Sequence, residues 1–246
     1  MAKPKKKAAP EAAVTKPKAA PAKKAKKAVA KAAKPVRTST KKPAGKKTTT
    51  KKSKIAEPRA VERAEILSSE VVYQGPLFRI LHDKLVEPSG KQNERDVIRH
   101  NGSVVILALD YTSGKKDPWI VMERQYRHAA NQYLWELPAG KLDAGEEPVE
   151  GAKRELAEET GYSAKKWKPL VEYYASPGFL GESMKVFQAE GLIAGEAHPE
   201  GDEDIEFRLV KLSDVLKMID KGMIIDGKTL TSVLLFARQH KGKGKK

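Results

Sequence analysis

The sequence predicts an α/β (α+β) domain in which a few helices bracket a mixed sheet, giving an α/β/α sandwich. Three observations lead there. Runs of strand-type alternation, punctuated by Gly, Pro and Asn turn cues, recur from about residue 70 to residue 210. Helix start and stop signals mark three segments, one inside the strand series and two after it. Charge separates the first 54 residues from a remainder of about 190, enough for one well-cored domain.

Residues 1–54 carry 20 Lys and Arg against a single Glu, a net of +19. The rest holds 28 of the 48 basic and 31 of the 32 acidic residues, a net of −3. The basicity therefore belongs to the tail. The tail is Lys, Ala, Pro and Thr with no aromatic residue, a composition that cannot offset its ordering entropy, so disorder is expected. Its segments PKKK (4–7), PAKKAKKAVAKAAKP (21–35) and KKPAGKK (41–47) resemble the tails of linker-histone-like proteins. Such a tail neutralises phosphates without reading sequence, so non-specific nucleic-acid contact through residues 1–54 is one reading. A solubilising tail is the other. Lys greatly outnumbers Arg, which argues against a mitochondrial presequence. The absence of an eighteen-residue apolar run or secretory core argues against a membrane. A cytoplasmic protein is expected, with nucleoid or nuclear association through the tail. There is no cysteine, which excludes a disulfide framework and thiolate chemistry.

Residues 55–69 read as a linker with a short helical stretch, 70–240 as the domain and 241–246 as a basic C-terminal tail. Residues 71–73 and 77–86 alternate around Gly75-Pro76, a strand–turn–strand signal. Residues 93–100 and 103–109 flank Asn101-Gly102, the strongest hairpin cue in the chain. A strand is expected at 119–125, after a turn at 112–118. Residues 134–137 lead through Pro138-Ala139-Gly140 into a helix. Strands at 170–175 and 184–189 enclose the loop SPGFLGE, and 205–210 is a further strand. Ser213 is placed as the cap of a helix reaching about Lys221, and 228–239 forms the last helix.

The segment from Gly140 to Tyr162, GKLDAGEEPVEGAKRELAEETGY, carries the chemistry. Pro148 suits a first helical turn and Gly161 the left-handed position after the last, so the helix runs over 148–160. On it Glu155, Glu158 and Glu159 stand at i, i+3 and i+4 and share a face. Val149, Ala152 and Leu156 form an adjacent apolar stripe for docking on a sheet. Three crowded carboxylates repel, and hard oxygen donors favour Mg²⁺ or Mn²⁺. Such an ion beside phosphate oxygens suits phosphoryl transfer. Arg154 is the natural bidentate partner for one of the carboxylates.

Gly140, Glu146, Arg154, Glu155, Glu158, Glu159 and Gly161 match every fixed position of the Nudix box, G-x5-E-x7-R-E-U-x-E-E-x-G-U with U apolar and Tyr162 in the last place. Seven fixed residues at set spacing arise by chance on the order of once in 10^8 trials. The chain thus resembles the Nudix hydrolases over roughly residues 70–240. ERQYR (123–127), WELPAG (135–140) and SPGF (176–179) are similar to the ADP-ribose and nucleoside-diphosphate-sugar pyrophosphatase branch.

The resemblance implies a Nudix fold, divalent-metal dependence, and a homodimer with a nucleoside diphosphate sugar between subunits. It also implies that Glu155, Glu158, Glu159 and the Ala139 carbonyl are metal ligands. Arg127 would meet the pyrophosphate or terminal ribose, Glu136 the nucleoside end, and Arg95 the substrate, while Phe179 offers a surface for a base to stack on. For the general base, Glu203 comes first, and Glu182 in the SPGFLGE loop second. Two other functions remain open: a nucleic-acid-associated protein using the domain as a binding module, and an enzyme acting on capped RNA or a dinucleoside polyphosphate.

Overall fold

The computed structural model describes residues 62–75, 78–198 and 205–243. Residues 1–61, which include the basic tail, and residues 76–77, 199–204 and 244–246 lie outside them. Two sheets form the frame. The first is an antiparallel meander of β1 (Glu65–Gln74), β2 (Arg79–Val86) and β3 (Gln92–Arg99). The second has seven strands: β4 (Ser103–Asp110), β5 (Trp119–Arg127), β6 (Gln132–Glu136), β7 (Ala139–Lys141), β8 (Ser163–Tyr174), β9 (Ser183–Ile193) and β10 (Ile205–Lys211). Their order is β10-β5-β4-β9-β8, with β6 on β5 and β7 on β4. β4 and β9 are parallel and the other pairs antiparallel, so the sheet is mixed.

β4 explains the layering. Val104 to Leu109 are all fully buried, as expected for a strand covered on both faces. Val104, Ile106 and Ala108 pack against Ala152 and Leu156 of α1 (Pro148–Thr160). Val105, Leu107 and Leu109 pack with Leu212 and Val215 of α2 (Leu212–Asp220) and with Val233, Phe236 and Ala237 of α3 (Gly227–Lys243). One helix therefore covers one face and two cover the other, the α/β/α sandwich expected. Among the described residues no helix is long and apolar enough to cross a membrane.

Several local expectations are corrected. The stretch Glu65 to Ser69 is not linker or helix. It is the start of β1, where pairing of Ile66 with Leu85 and Ser69 with Asp83 overrides local preference. Asn101-Gly102 does not close a hairpin, because β3 pairs with β2 and β4 with β5, β7 and β9. A two-residue type I′ turn needs positive φ at both central residues, and Asn131 is the sole non-glycine with positive φ among the described residues. Gly102 has φ +96° and instead carries the chain between sheets. Its carbonyl accepts Leu142 N–H at 3.0 Å, and a Cβ there would meet Ser183 Oγ at 2.9 Å.

β8 begins at Ser163 rather than 170, with Pro169 accommodated at an irregularity between Pro169 and Val171. Ser213 does not cap α2, because it already lies within the helix. The Asp117 carboxylate caps it from the connection between β4 and β5, accepting Ser213 N–H at 2.8 Å and its hydroxyl at 2.9 Å.

Candidate active site

α1 has the bounds its sequence signals indicate. Pro148 occupies the first turn, and Gly161, at φ 70°, donates its N–H to Ala157 O at 2.9 Å. The apolar stripe docks on β4, which turns the acidic face toward the strap formed by Ala139, Gly140 and Lys141. These residues, with Asp143, Arg154, Glu155, Glu158 and Glu159, line a cavity of about 440 Å³.

Arg154 holds the carboxylates together. Its Nε and Nη2 donate to the two Glu146 oxygens at 3.1 and 3.2 Å. Nη1 reaches Glu155 and Glu158, each at 2.9 Å. Nη2 also donates to Lys141 O at 3.2 Å. The bidentate partner is therefore Glu146, while Glu155 and Glu158 share the remaining nitrogen. The bond from Arg154, followed by Asp143 N–H, holds the Glu146 carboxyl below its usual pKa. The same bond to Glu146 is the main cause raising Arg154.

Gly140 is fixed by close approach. A Cβ there would lie 1.8 Å from Glu155 Cδ, so the Glu155 carboxylate occupies the space a side chain would need. Glu159 is buried, and its Oε2 accepts Ala139 N–H at 3.1 Å. Behind it lies Glu123 of β5, also buried, whose carboxyl is pushed up to about 8 by burial against an opposing hydrogen bond with Glu159.

A second cavity, of about 960 Å³, shares Ala139, Gly140 and Lys141 with the first. Its lining adds Arg127, Lys228, His100, Phe78, Tyr173 and Glu182. Beside it, Arg127 donates from Nε and Nη2 to Glu136 at 2.9 and 2.8 Å. Lys228, at the start of α3, also bonds Glu136 and lies 3.2 Å from Asp226. Burial works to raise the Glu136 pKa, but the bonds from Arg127 and Lys228 outweigh it and leave it below the usual value. Tyr173 has a buried hydroxyl with no hydrogen-bond partner among the described residues. Burial, then the negative charge of Asp226 and Glu182, pushes it up to about 12, so it remains a neutral donor.

The structure thus brings Ala139, Glu155, Glu158, Glu159, Arg127 and Glu136 around one strap. Glu182 lies in the wall of the larger cavity, where its Oε1 accepts the Ser103 hydroxyl at 2.6 Å. Arg95 is placed elsewhere, paired with Glu87 at 2.7 Å and lining neither cavity. Phe179 is 54% exposed and also lines neither, although its carbonyl accepts Ile98 N–H at 2.8 Å. Glu203 lies outside the described residues.

Sequence reading missed Lys228, taken only as a helix start, and Glu123. Glu123 stood in the ERQYR segment without a role of its own, and its position two residues after Val121, on the same face of an apolar strand, was a further signal.

The donor set is oxygen only, three carboxylates and a carbonyl, which fits a hard divalent cation. Among the described residues no three acidic or His side chains already converge as a complete ligand set. Arg154 provides the positive charge on the acidic face. Replacing Gly140 with Ala is expected to displace the Glu155 carboxylate and weaken Mn²⁺ binding roughly tenfold, at unchanged circular dichroism. Titration calorimetry checks this, and wild-type affinity would contradict the close-approach account.

Comparison with known proteins agrees with this geometry. Residues 100–232 match the NUDIX domain family. An ADP-ribose pyrophosphatase of Bacillus subtilis (strain 168) is 38% identical over 169 residues, spanning 68% of this chain and 89% of that protein. An ADP-ribose pyrophosphatase of Mycobacterium tuberculosis (strain ATCC 25618 / H37Rv) is 37% identical over 174 residues, spanning 69% and 81%. A GDP-mannose pyrophosphatase of Escherichia coli O1:K1 / APEC is 36% identical over 167 residues, spanning 61% and 83%. In fold, the chain is similar to a crystal structure of an ADP compounds hydrolase, with a TM-score of 0.63 at 19% identity, covering 77% of this chain and all of that one. With its box on α1 and these relatives, the chain belongs to the NUDIX domain family.

Proposed function

We infer that this protein is a Nudix pyrophosphohydrolase that cleaves the pyrophosphate bond of ADP-ribose or a related nucleoside diphosphate sugar to two monophosphates. One observation carries the reading. A carboxylate-lined cavity and a larger one with cationic and aromatic walls share the strap Ala139, Gly140 and Lys141. The larger volume, about 960 Å³, suits a ligand with a base, two phosphates and a sugar. The relatives named as pyrophosphatases of ADP-ribose and GDP-mannose support the same class.

Glu155, Glu158, Glu159 and the Ala139 carbonyl would hold Mg²⁺, with Mn²⁺ as a substitute. The ion supplies charge neutralisation at the pyrophosphate and a more acidic bound water. Arg154 keeps Glu155 and Glu158 from splaying apart before the cation arrives. Arg127, 40% exposed at its side chain while tied to Glu136, presents its guanidinium to phosphate oxygens. Lys228 adds a second positive charge beside it. Glu136 then orients Arg127 and lies at the nucleoside end. The attacking water passes its proton to a carboxylate outside the box, Glu203 or Glu182. Glu182 is held for that role by the Ser103 hydroxyl.

A homodimer is part of the reading. β1 leaves Ile66, Leu67, Val71, Val72 and Tyr73 about half exposed on an edge strand, a surface that a second copy would cover. The net charge of +19 over residues 1–54 supports non-specific nucleic-acid contact independent of the catalytic domain.

Three outcomes test these statements. Glu158→Gln is expected to lower kcat by about two orders of magnitude or more with the fold retained, because it removes a charged ligand from the acidic face. Near-normal turnover would refute the ligand assignment. ADP-ribose is expected to turn over faster than capped RNA in parallel assays, and the reverse order would move the protein to RNA caps. Removal of residues 1–54 is expected to abolish DNA binding at low salt while hydrolysis persists. An unchanged gel shift would refute the role of the tail.

A further inference from the structure

A third cavity, of about 470 Å³, opens beside the larger one and shares Phe78 and His100 with it. Its lining adds Gln74, Arg79, Leu81, Arg99 and Asn101, and among the described residues no acidic side chain. The antiparallel register of β2 and β3 sets Arg79 directly opposite Arg99, so the two side chains leave one face of the sheet as neighbours. Leu81, two residues on, lines the same cavity, which makes that face its wall. Like charges directly opposite each other are unfavourable unless something neutralises them. Arg99 has a carboxylate partner. Its Nη2 donates to Asp83 Oδ2 at 2.6 Å, and the other oxygen of this buried carboxylate accepts the Ser69 hydroxyl at 2.6 Å. Arg79 is exposed and forms no ion pair among the described residues. One wall of the cavity therefore presents two guanidinium groups against a single, already committed carboxylate.

We propose that Arg79 and Arg99 form an anion subsite for a phosphate monoester that the substrate carries in addition to its pyrophosphate. The subsite rests on the reading of the larger cavity as the place of a nucleoside diphosphate sugar. Guanidinium groups on adjacent strands suit one phosphate, whose oxygens accept their paired N–H groups. A dianion between them replaces the repulsion with two attractions and leaves the bond of Arg99 to Asp83 in place. A neutral extension of the substrate would cover Arg79 without giving it a partner. Phe78 and His100 belong to both linings, so the two spaces meet at these side chains. A nucleoside diphosphate sugar has two sugars that can bear such a phosphate. The shared chemistry is a phosphate monoester on one of them. The subsite selects among substrates and takes no part in breaking the pyrophosphate bond.

Steady-state kinetics of the full-length protein with ADP-ribose, ADP-ribose 2′-phosphate and ADP-ribose 1″-phosphate test the subsite and separate the two sugars. KM for one of the phosphorylated compounds is expected to lie about tenfold below that for ADP-ribose, as a charge-assisted contact gives. The compound favoured identifies the sugar that faces the arginines. In Arg79→Gln the ratio of these two KM values is expected to fall to within about twofold of unity. Arg79 is the residue to substitute, because it is exposed and unpaired, whereas loss of Arg99 would strip the buried Asp83 of its partner. Equal KM for all three compounds, or a preference for ADP-ribose over both others, overturns the subsite alone. A preference that survives Arg79→Gln unchanged also overturns it. Hydrolysis of none of the three by the unsubstituted protein overturns the nucleotide-sugar reading and the subsite together.

Discussion

Three carboxylates on one helical face repel one another, and most of what surrounds α1 can be understood as the means of keeping them there. Arg154 spans Glu146, Glu155 and Glu158 and so gathers the acidic face around one guanidinium. Glu159 is held from the other side by Ala139 N–H and Glu123. Gly140 is required because the Glu155 carboxylate fills the place of its side chain. Repulsion that would unwind an isolated helix is here balanced by one cation, one backbone donor and one glycine. The result is an acidic surface gathered beside the strap of Ala139, Gly140 and Lys141.

The sandwich fixes where that surface points. β4 is buried on both faces and separates α1 from α2 and α3. Its antiparallel partner β7 carries Ala139, Gly140 and Lys141, and these residues form the wall between the two cavities. The ion pair of Arg127 and Glu136 sits at the paired ends of β5 and β6, with Lys228 arriving from α3. Elements from different layers therefore converge around the strap that both cavities share. That convergence sets the acidic face of α1 beside a cavity of about 960 Å³.

Legibility from sequence followed the range of the interaction. α1 could be read to the residue because Pro148, Gly161 and the i, i+3, i+4 carboxylates act within one helix. The hairpin cue at Asn101-Gly102 failed because β3 pairs back onto β2, while β4 takes its partners from the later strands β5, β7 and β9. Glu65 to Ser69 read as linker because their strand character depends on β2. The cap of α2 was misassigned to Ser213 because Asp117 lies 96 residues away. In the site, Arg127 and Glu136 could be named from motif, but Lys228 is 92 residues from its carboxylate partner. Glu123 needed the knowledge that β5 turns this side chain toward α1.

The proposed hydrolysis of a pyrophosphate bond draws on both this acidic face and the cavity beside it. It is tested most directly by product analysis after incubation of the full chain with ADP-ribose and Mg²⁺ in ¹⁸O-labelled water. The expected products are AMP and ribose 5-phosphate, with the label in one of the two new phosphate groups and no turnover once the metal is chelated. Release of ADP and free ribose, or turnover that persists in the chelator, would contradict it.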